Sequence, residues 1–270
     1  MPQAEKAQGQ YLYGIILCPE SDHNPAEMPQ FTTLGIGERG DPVYTIHFMD
    51  LAAVVSNSPI MEYDSSRRNM MAHTLVQEEV MRSFTMLPVR FSTMAPGAEA
   101  VKEKLLKRRF GEFHGLLQQR EGRVELGLKA FWYEEVILQE TVDQNPQIRR
   151  LRDSLMGRRP EETYYERIRL GEMIENDMGR KRDEDAERIL TPLRPLVVET
   201  RVNKTITDRM VLNAAFLVEE RRQGEFDEAV KKLDEGMGKR FIFKYVGPVP
   251  PYNFVNIVVA WEDEPPPQRK

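Results

Sequence analysis

Hydrophobic positions along this chain change their period several times, and each change marks an element. From Tyr11 to Leu17, "YLYGIIL", aromatic and β-branched residues run almost unbroken. That pattern predicts a buried strand, ended at Pro19. A turn-rich stretch, "PESDHNPAEMPQ", separates it from three short strand-like runs, Thr32–Ile36, Val43–Phe48 and Leu51–Val55. Between Ser65 and Phe84 the period lengthens. Met70, His73, Thr74, Gln77, Val80, Met81 and Phe84 recur at helical steps, which predicts a helix capped by Ser65 or Ser66. "MLPVRFSTM" returns to a strand, with Pro88 at an edge or a strand start. A second amphipathic helix spans Glu99 to Leu117, Gly122 breaks the pattern, and "RVELGLKAFWY" alternates as a strand.

The second half opens differently. Between Gln147 and Thr191 basic and acidic side chains are equally numerous and fall in small blocks such as "GRKRDEDAER". Such a segment predicts long solvated helices laced with ion pairs. An apolar stripe persists through Tyr164, Ile168, Gly171, Ile174, Met178, Ala186, Ile189 and Leu193, interrupted at Arg182, where a bend or protrusion is expected. Strand patterns then return in "LVVETRVNK" and "RMVLNAAFLVEE". A short helix covers Gln223 to Met237, and "RFIFKYVG" and "NFVNIVVAW" predict two last strands.

The fold class expected from this order is α+β with two domains. Residues 1–133 are expected to form a ferredoxin-like N-terminal domain with an extra hairpin. Residues 134–262 are expected to form a C-terminal α+β domain, helical over 134–191 and sheet-containing over 195–262, before a disordered tail, 263–270.

Composition narrows the function classes. The chain has 270 residues, 40% hydrophobic and 30% charged, with a net charge of −5. An acidic balance supplies no overall field for nucleic acid or anionic lipid. One cysteine, Cys18, excludes an internal disulfide and a zinc site built from cysteine pairs. No apolar run approaches the roughly 20 residues that span a bilayer, and the start of the chain lacks the layout of a signal peptide. A cytoplasmic protein is expected.

Catalytic signatures find little support. His23, His47, His73 and His114 have no metal-ligand spacing, and His73 sits on an apolar helical face, as a hydrogen-bonded core histidine would. "GIGERG" precedes a strand rather than a helix, so it reads as a turn and not as a dinucleotide loop. There is no G-x-S-x-G elbow. The RNA-binding aromatic-glycine motif is absent, and basic clusters such as Lys107-Arg108-Arg109 are offset by neighbouring acids.

Two stretches stand out. "LPVRFST" places Arg90 between Val89 and Phe91, where alternation turns it to the opposite face. "GPVPPYNF" puts three prolines and two aromatics between strand patterns. It reads as a stiffened connection, with Tyr252 and Phe254 sharing a face if the chain there is extended.

With "YLYGII", "DLAAVVSNSP", "HTLVQEEV", "MLPVRFST", "VELGLKAFW" and "YVGPVPPYNFVNI" in this order, the chain resembles the gas vesicle GvpL/GvpF family over nearly its whole length. The most specific positions are Leu87, Pro88, Arg90 and Phe91, then Gly247, Pro248, Pro250, Pro251, Tyr252 and Phe254. The family commonly reads R-F-G-T where this chain has Arg90-Phe91-Ser92-Thr93, which puts the left-handed residue of that turn in question. The resemblance implies a non-enzymatic accessory or minor structural protein of gas vesicle assembly, cytoplasmic and vesicle-associated, without a cofactor. Its implied partners are the shell protein and other accessory proteins. The alternative from the residues alone is a ferredoxin-like ligand-binding module or enzyme with Arg90 as an anion anchor. A deep pocket lined by Arg90 and a histidine would mark it.

Overall fold

A computed structural model describes residues 8–18 and 29–261. The expected disordered tail, His23 and most of the proline-rich connection after Cys18 lie outside the described residues. The fold is α+β, and the described chain divides into two units. One contains the residues up to Val124 together with those from Val249 onward; the other is Glu125–Pro248.

In the first unit, β1 (Gln8–Leu17) is the centre of the sheet. It pairs antiparallel with β3 (Leu51–Pro59) on one side and with β4 (Met86–Pro88) on the other. A short β5 (Met94–Ala95) also pairs with β1, and β2 (Val43–Phe48) adds to β3. The strand order is β2-β3-β1-β4, so Pro88 lies on an edge strand, where its missing N–H breaks no ladder. Gly14 lets β4 approach, because a Cβ there would lie 2.7 Å from the Leu87 carbonyl oxygen.

The continuous run "YLYGII" is explained by burial on both faces. Leu12 and Ile15 enter one core with Leu87, Val89, Leu105, Leu106, Phe113 and Leu117. Tyr11, Tyr13 and Ile16 enter a second core with Val76 and Val80. That second core is covered by α1 (Arg67–Met81), whose cap is Ser66: its hydroxyl accepts the Asn69 N–H. The buried face of α1 is His73, Val76, Gln77 and Val80; Met70, which the periodicity placed there, is exposed. The first core is covered by a π-helical segment, Ala100–Lys107, followed by α2 (Phe110–Arg120).

The second unit contains β6 (Arg123–Trp132), α3 (Glu134–Gln144), α4 (Pro146–Leu155), α5 (Tyr164–Leu193), β7 (Glu199–Val202), β8 (Met210–Glu219), α6 (Gln223–Met237) and β9 (Phe241–Val249). Its strands lie in the order β7-β8-β6-β9. The long charged helix is present, but α5 runs unbroken through Arg182. That side chain lies over the Trp132 ring and donates to the Asp208 carbonyl, so a polar residue on the stripe is accommodated without a bend. A buried ion cluster ties the helices to the sheet. Asp185 accepts from Trp132 Nε1 (2.9 Å) and Arg240 Nη1 (2.6 Å), while Arg240 also binds Glu140. Charges so placed are tolerated because each finds an opposite partner.

Four expectations are corrected. Strand β6, expected to close the first sheet, lies in the second. The division therefore falls at Val124 and not at 133, and the first unit recovers the segment after Pro248 that was assigned to the C-terminal domain. Thr32–Ile36 is not a strand; only Leu34 makes an isolated bridge, to Pro42. "NFVNIVVAW" forms a single parallel bridge, Ile257 to Val89, because its hydrogen bonds go mainly to side chains. Local periodicity cannot say which sheet a strand joins, since any alternating segment suits either.

Candidate functional site

The two stretches singled out in the sequence meet at one place in the first unit. The turn "PPYNF" is closed by its own backbone: Tyr252 N–H donates to Pro250 O (2.7 Å), and the N–H groups of Phe254 and Val255 donate to Pro251 O. The chain turns here and is not extended, so Tyr252 and Phe254 separate. Phe254 is buried, whereas the Tyr252 ring is partly exposed with its hydroxyl directed inward.

That hydroxyl is the hub of a polar network. It lies 2.9 Å from His73 Nε2, accepts from Gln77 Nε2 at 2.7 Å and reaches the Val89 carbonyl at 3.1 Å. His73 Nδ1 lies 3.0 Å from the Tyr11 hydroxyl, which accepts the Ser92 N–H at 2.9 Å. Gln77 Nε2 also donates to Tyr13 O. Tyr11 donates to Nδ1 and Nε2–H donates to Tyr252, whose own hydrogen is shared between two acceptors in reach, Gln77 Oε1 at 3.0 Å and Val89 O at 3.1 Å.

The electrostatics keep this cluster neutral. Burial lowers the His73 pKa to about 4, opposed by a weaker hydrogen-bonding effect at Val89. Burial pushes the Tyr252 hydroxyl up to about 12 and raises Tyr11 as well. His73 is thus the hydrogen-bonded core histidine that its helical face predicted, and its ring packs against Tyr11, Tyr13 and Phe91.

Ser92 resolves the question of the turn. It adopts φ +63°, the left-handed conformation that glycine reaches most easily. Its hydroxyl accepts the Tyr63 N–H at 2.8 Å, a bond glycine could not make. Val89 is buried and Arg90 is exposed, as alternation required. The Arg90 guanidinium donates to Asn256 Oδ1 (2.8 Å), and Thr93 Oγ1 donates to the Arg90 carbonyl.

Of the motif residues, Leu87, Pro88, Arg90, Phe91, Pro250, Pro251, Tyr252 and Phe254 belong to the first unit. Gly247 and Pro248, joined by a cis peptide, belong to the second. Gly247 has φ +142°, and a Cβ there would lie 2.7 Å from Leu126 Cδ2. Sequence reasoning missed Tyr11 and Gln77 as members of the cluster. Their signal was a tyrosine and an amide at positions patterned for burial, where polar atoms need partners.

Two clefts have other linings. One of about 470 Å³ in the first unit is lined by Gly37, Arg39, Asp41, Tyr63, Asp64 and Arg68 among others. One of about 870 Å³ in the second includes Tyr133, Glu134, Leu138, Arg209 and Lys239. Neither contains Arg90 or a histidine. Among the described residues no group of three or more His, Cys, Asp or Glu is placed to hold a metal ion, and no helix is long and apolar enough to cross a membrane.

A family model described as gas vesicle synthesis protein GvpL/GvpF covers residues 9–256. The chain belongs to the GvpL/GvpF family. Gas vesicle protein F of Nostoc sp. (strain PCC 7120) is 28% identical over 253 residues, spanning 93% of this chain and 99% of that protein. The Streptomyces sp. (strain CB03234) gas vesicle protein F is 31% identical over 91% of this chain and 98% of its own. Gas vesicle protein L1 of Halobacterium salinarum is 21% identical over 92% of this chain and 90% of its own. The crystal structure of GvpF from Anabaena sp. PCC7120 superposes with a TM-score of 0.78 at 28% identity, covering 93% of this chain and all of that one. Membership in this GvpL/GvpF family ties the chain to gas vesicle formation.

Proposed function

We propose that this protein is a non-enzymatic accessory or minor structural component of gas vesicle assembly, acting in the cytoplasm by binding the shell protein and other accessory proteins. The observation that carries this reading is the gas vesicle family match over residues 9–256, and the state of the motif cluster agrees with it. Its residues spend their polar atoms on one another and on the backbone, with a neutral histidine and neutral tyrosines. Such a network holds a surface in shape; it presents no poised acid, base or nucleophile to a substrate. The anion-anchor alternative loses ground because Arg90 lies at the surface against a neutral amide, outside the two clefts.

In the same reading the second unit is the ferredoxin-like one, supported by its β-α-β-β-α-β element order and its strand order β7-β8-β6-β9. Deleting the gene from a vesicle-forming strain that lacks a paralogue tests the assembly role. Loss of vesicles, restored by the wild-type gene, is expected; normal vesicles would refute it. Capture of the shell protein by the purified chain, and its loss on surface substitution, tests the proposed partner.

A further inference from the structure

The first unit is built from two separate pieces of chain, and the second piece arrives only after the whole of the second unit. From Val255 to Trp261 its burial alternates: Val255 and Ile257 are buried, Val259 and Trp261 are partly buried, and Asn256, Val258 and Ala260 face out. The inward residues pack against the core formed by Leu87, Val89, Leu105, Leu106 and Phe113. This is the side-chain pattern of an extended strand, yet only Ile257 makes a bridge, to Val89 beside the edge strand β4.

What holds the segment instead is a row of basic side chains. Arg120 Nη2 donates to Phe254 O (3.1 Å), Arg109 Nη1 to Val258 O (2.8 Å) and Lys104 Nζ to Trp261 O (3.3 Å). Each grips a backbone carbonyl, a contact any extended segment offers whatever its side chains. Specificity comes from the ends and the middle: the Tyr252 hydroxyl in the His73 and Gln77 network, Asn256 on Arg90, and Trp261 Nε1 on the Met94 carbonyl. The geometry is that of a peptide laid in a groove beside the edge strand β4 and anchored by side chains, with one backbone bridge in place of a ladder.

We propose that this groove is a docking site for an extended segment and that residues 249–261 are its resident ligand, exchangeable between two copies of this chain. The occupant is fixed by complementarity already present: a second copy carries the same tyrosine, asparagine and alternating apolar residues. An exchanged pair repeats each contact made within one copy, so the exchange changes the covalent connection and little else. The segment favours exchange because it is held by side chains at discrete points and by a single backbone bridge.

The test uses full-length chains with exposed substitutions. Arg90 and Asn256 touch across the groove and are both exposed, whereas Cys18 is buried. Chains carrying Arg90→Cys and chains carrying Asn256→Cys are mixed, unfolded, refolded together at increasing concentration and treated with a short bismaleimide. A chain carrying both substitutions is the control and should cross-link internally. Exchange predicts at least about fivefold more covalent dimer from the mixture than from either variant alone. The yield should rise with concentration, because trans binding competes with a tethered segment at roughly millimolar effective concentration. A mixture that gives no more dimer than the single variants, while the control cross-links internally, overturns exchange. A control that does not cross-link overturns the groove itself.

Discussion

Replacing Tyr252 with phenylalanine removes one oxygen and leaves the ring. The hydroxyl serves His73 Nε2, Gln77 Nε2 and the Val89 carbonyl at 2.9, 2.7 and 3.1 Å. Gln77 keeps its bond to Tyr13 O, and His73 keeps Tyr11 on its other nitrogen. The loss is therefore concentrated on His73 Nε2–H and on the acceptor that the hydroxyl hydrogen serves, Gln77 Oε1 or Val89 O. An unsatisfied buried group costs about 1–3 kcal/mol. Two such groups, one of them close enough to the surface to recruit water, give about 2–3 kcal/mol. For a unit of this size that is a fall in Tm of roughly 5–10 °C, at about 2–4 °C per kcal/mol. Calorimetry of the full chain reads it directly. A double-mutant cycle with Gln77→Leu should return a coupling of at least about 0.5 kcal/mol, since the pair shares a hydrogen bond. A Tm change under about 1 °C, with no coupling, would refute the network as a structural clasp.

Three further outcomes follow from the same geometry. Because the His73 pKa falls to about 4 in the folded chain from an ordinary 6.5, its neutral form contributes stability that is complete above pH 6.5. That stability is lost as pH falls toward 4, at about 1.4 kcal/mol per pH unit and ~3 kcal/mol in all; urea titrations across this range should show the slope, and His73→Gln should flatten it. Ser92→Ala keeps the left-handed backbone and loses the Tyr63 contact, so it should destabilise by about 1–2 kcal/mol, whereas Ser92→Gly should lie within about 0.5 kcal/mol of wild type because backbone relief offsets the lost bond; denaturant midpoints distinguish them. Gly247→Ala should cost at least about 2 kcal/mol, from a φ of +142° and a 2.7 Å approach to Leu126 Cδ2, and a midpoint equal to wild type would show that β9 shifts freely.

The local signals in the sequence were sound where the physics is local. Hydrophobic period gave the helix Gln223–Met237 at its observed bounds and placed α1 within two residues of its cap candidate, because helical burial repeats within one turn. Alternation gave the outward direction of Arg90, and the apolar face around His73 gave its role as a bonded core histidine. The family motifs were legible as residues, and the prolines marked a rigid turn, but the serine at position 92 put the left-handed conformation in question until the fold showed Ser92 at φ +63°. The long charged segment also behaved as its ion-pair pattern implied.

Partner choice between distant segments was not legible. "VELGLKAFW" alternates equally well for either sheet, and only the assembled fold puts it between β8 and β9. "NFVNIVVAW" carries a strand pattern, but it meets Arg109, Arg120 and Lys104 side chains before it meets a full ladder. The stretch "GPVPPYNF" could be identified as a turn from its prolines. That its tyrosine closes on a histidine 179 positions earlier depends on the return of the chain to its first unit. The sequence by itself determined most of the elements and the family; tertiary structure decided which of them touch, because contacts at long separation are selected by packing and not by period.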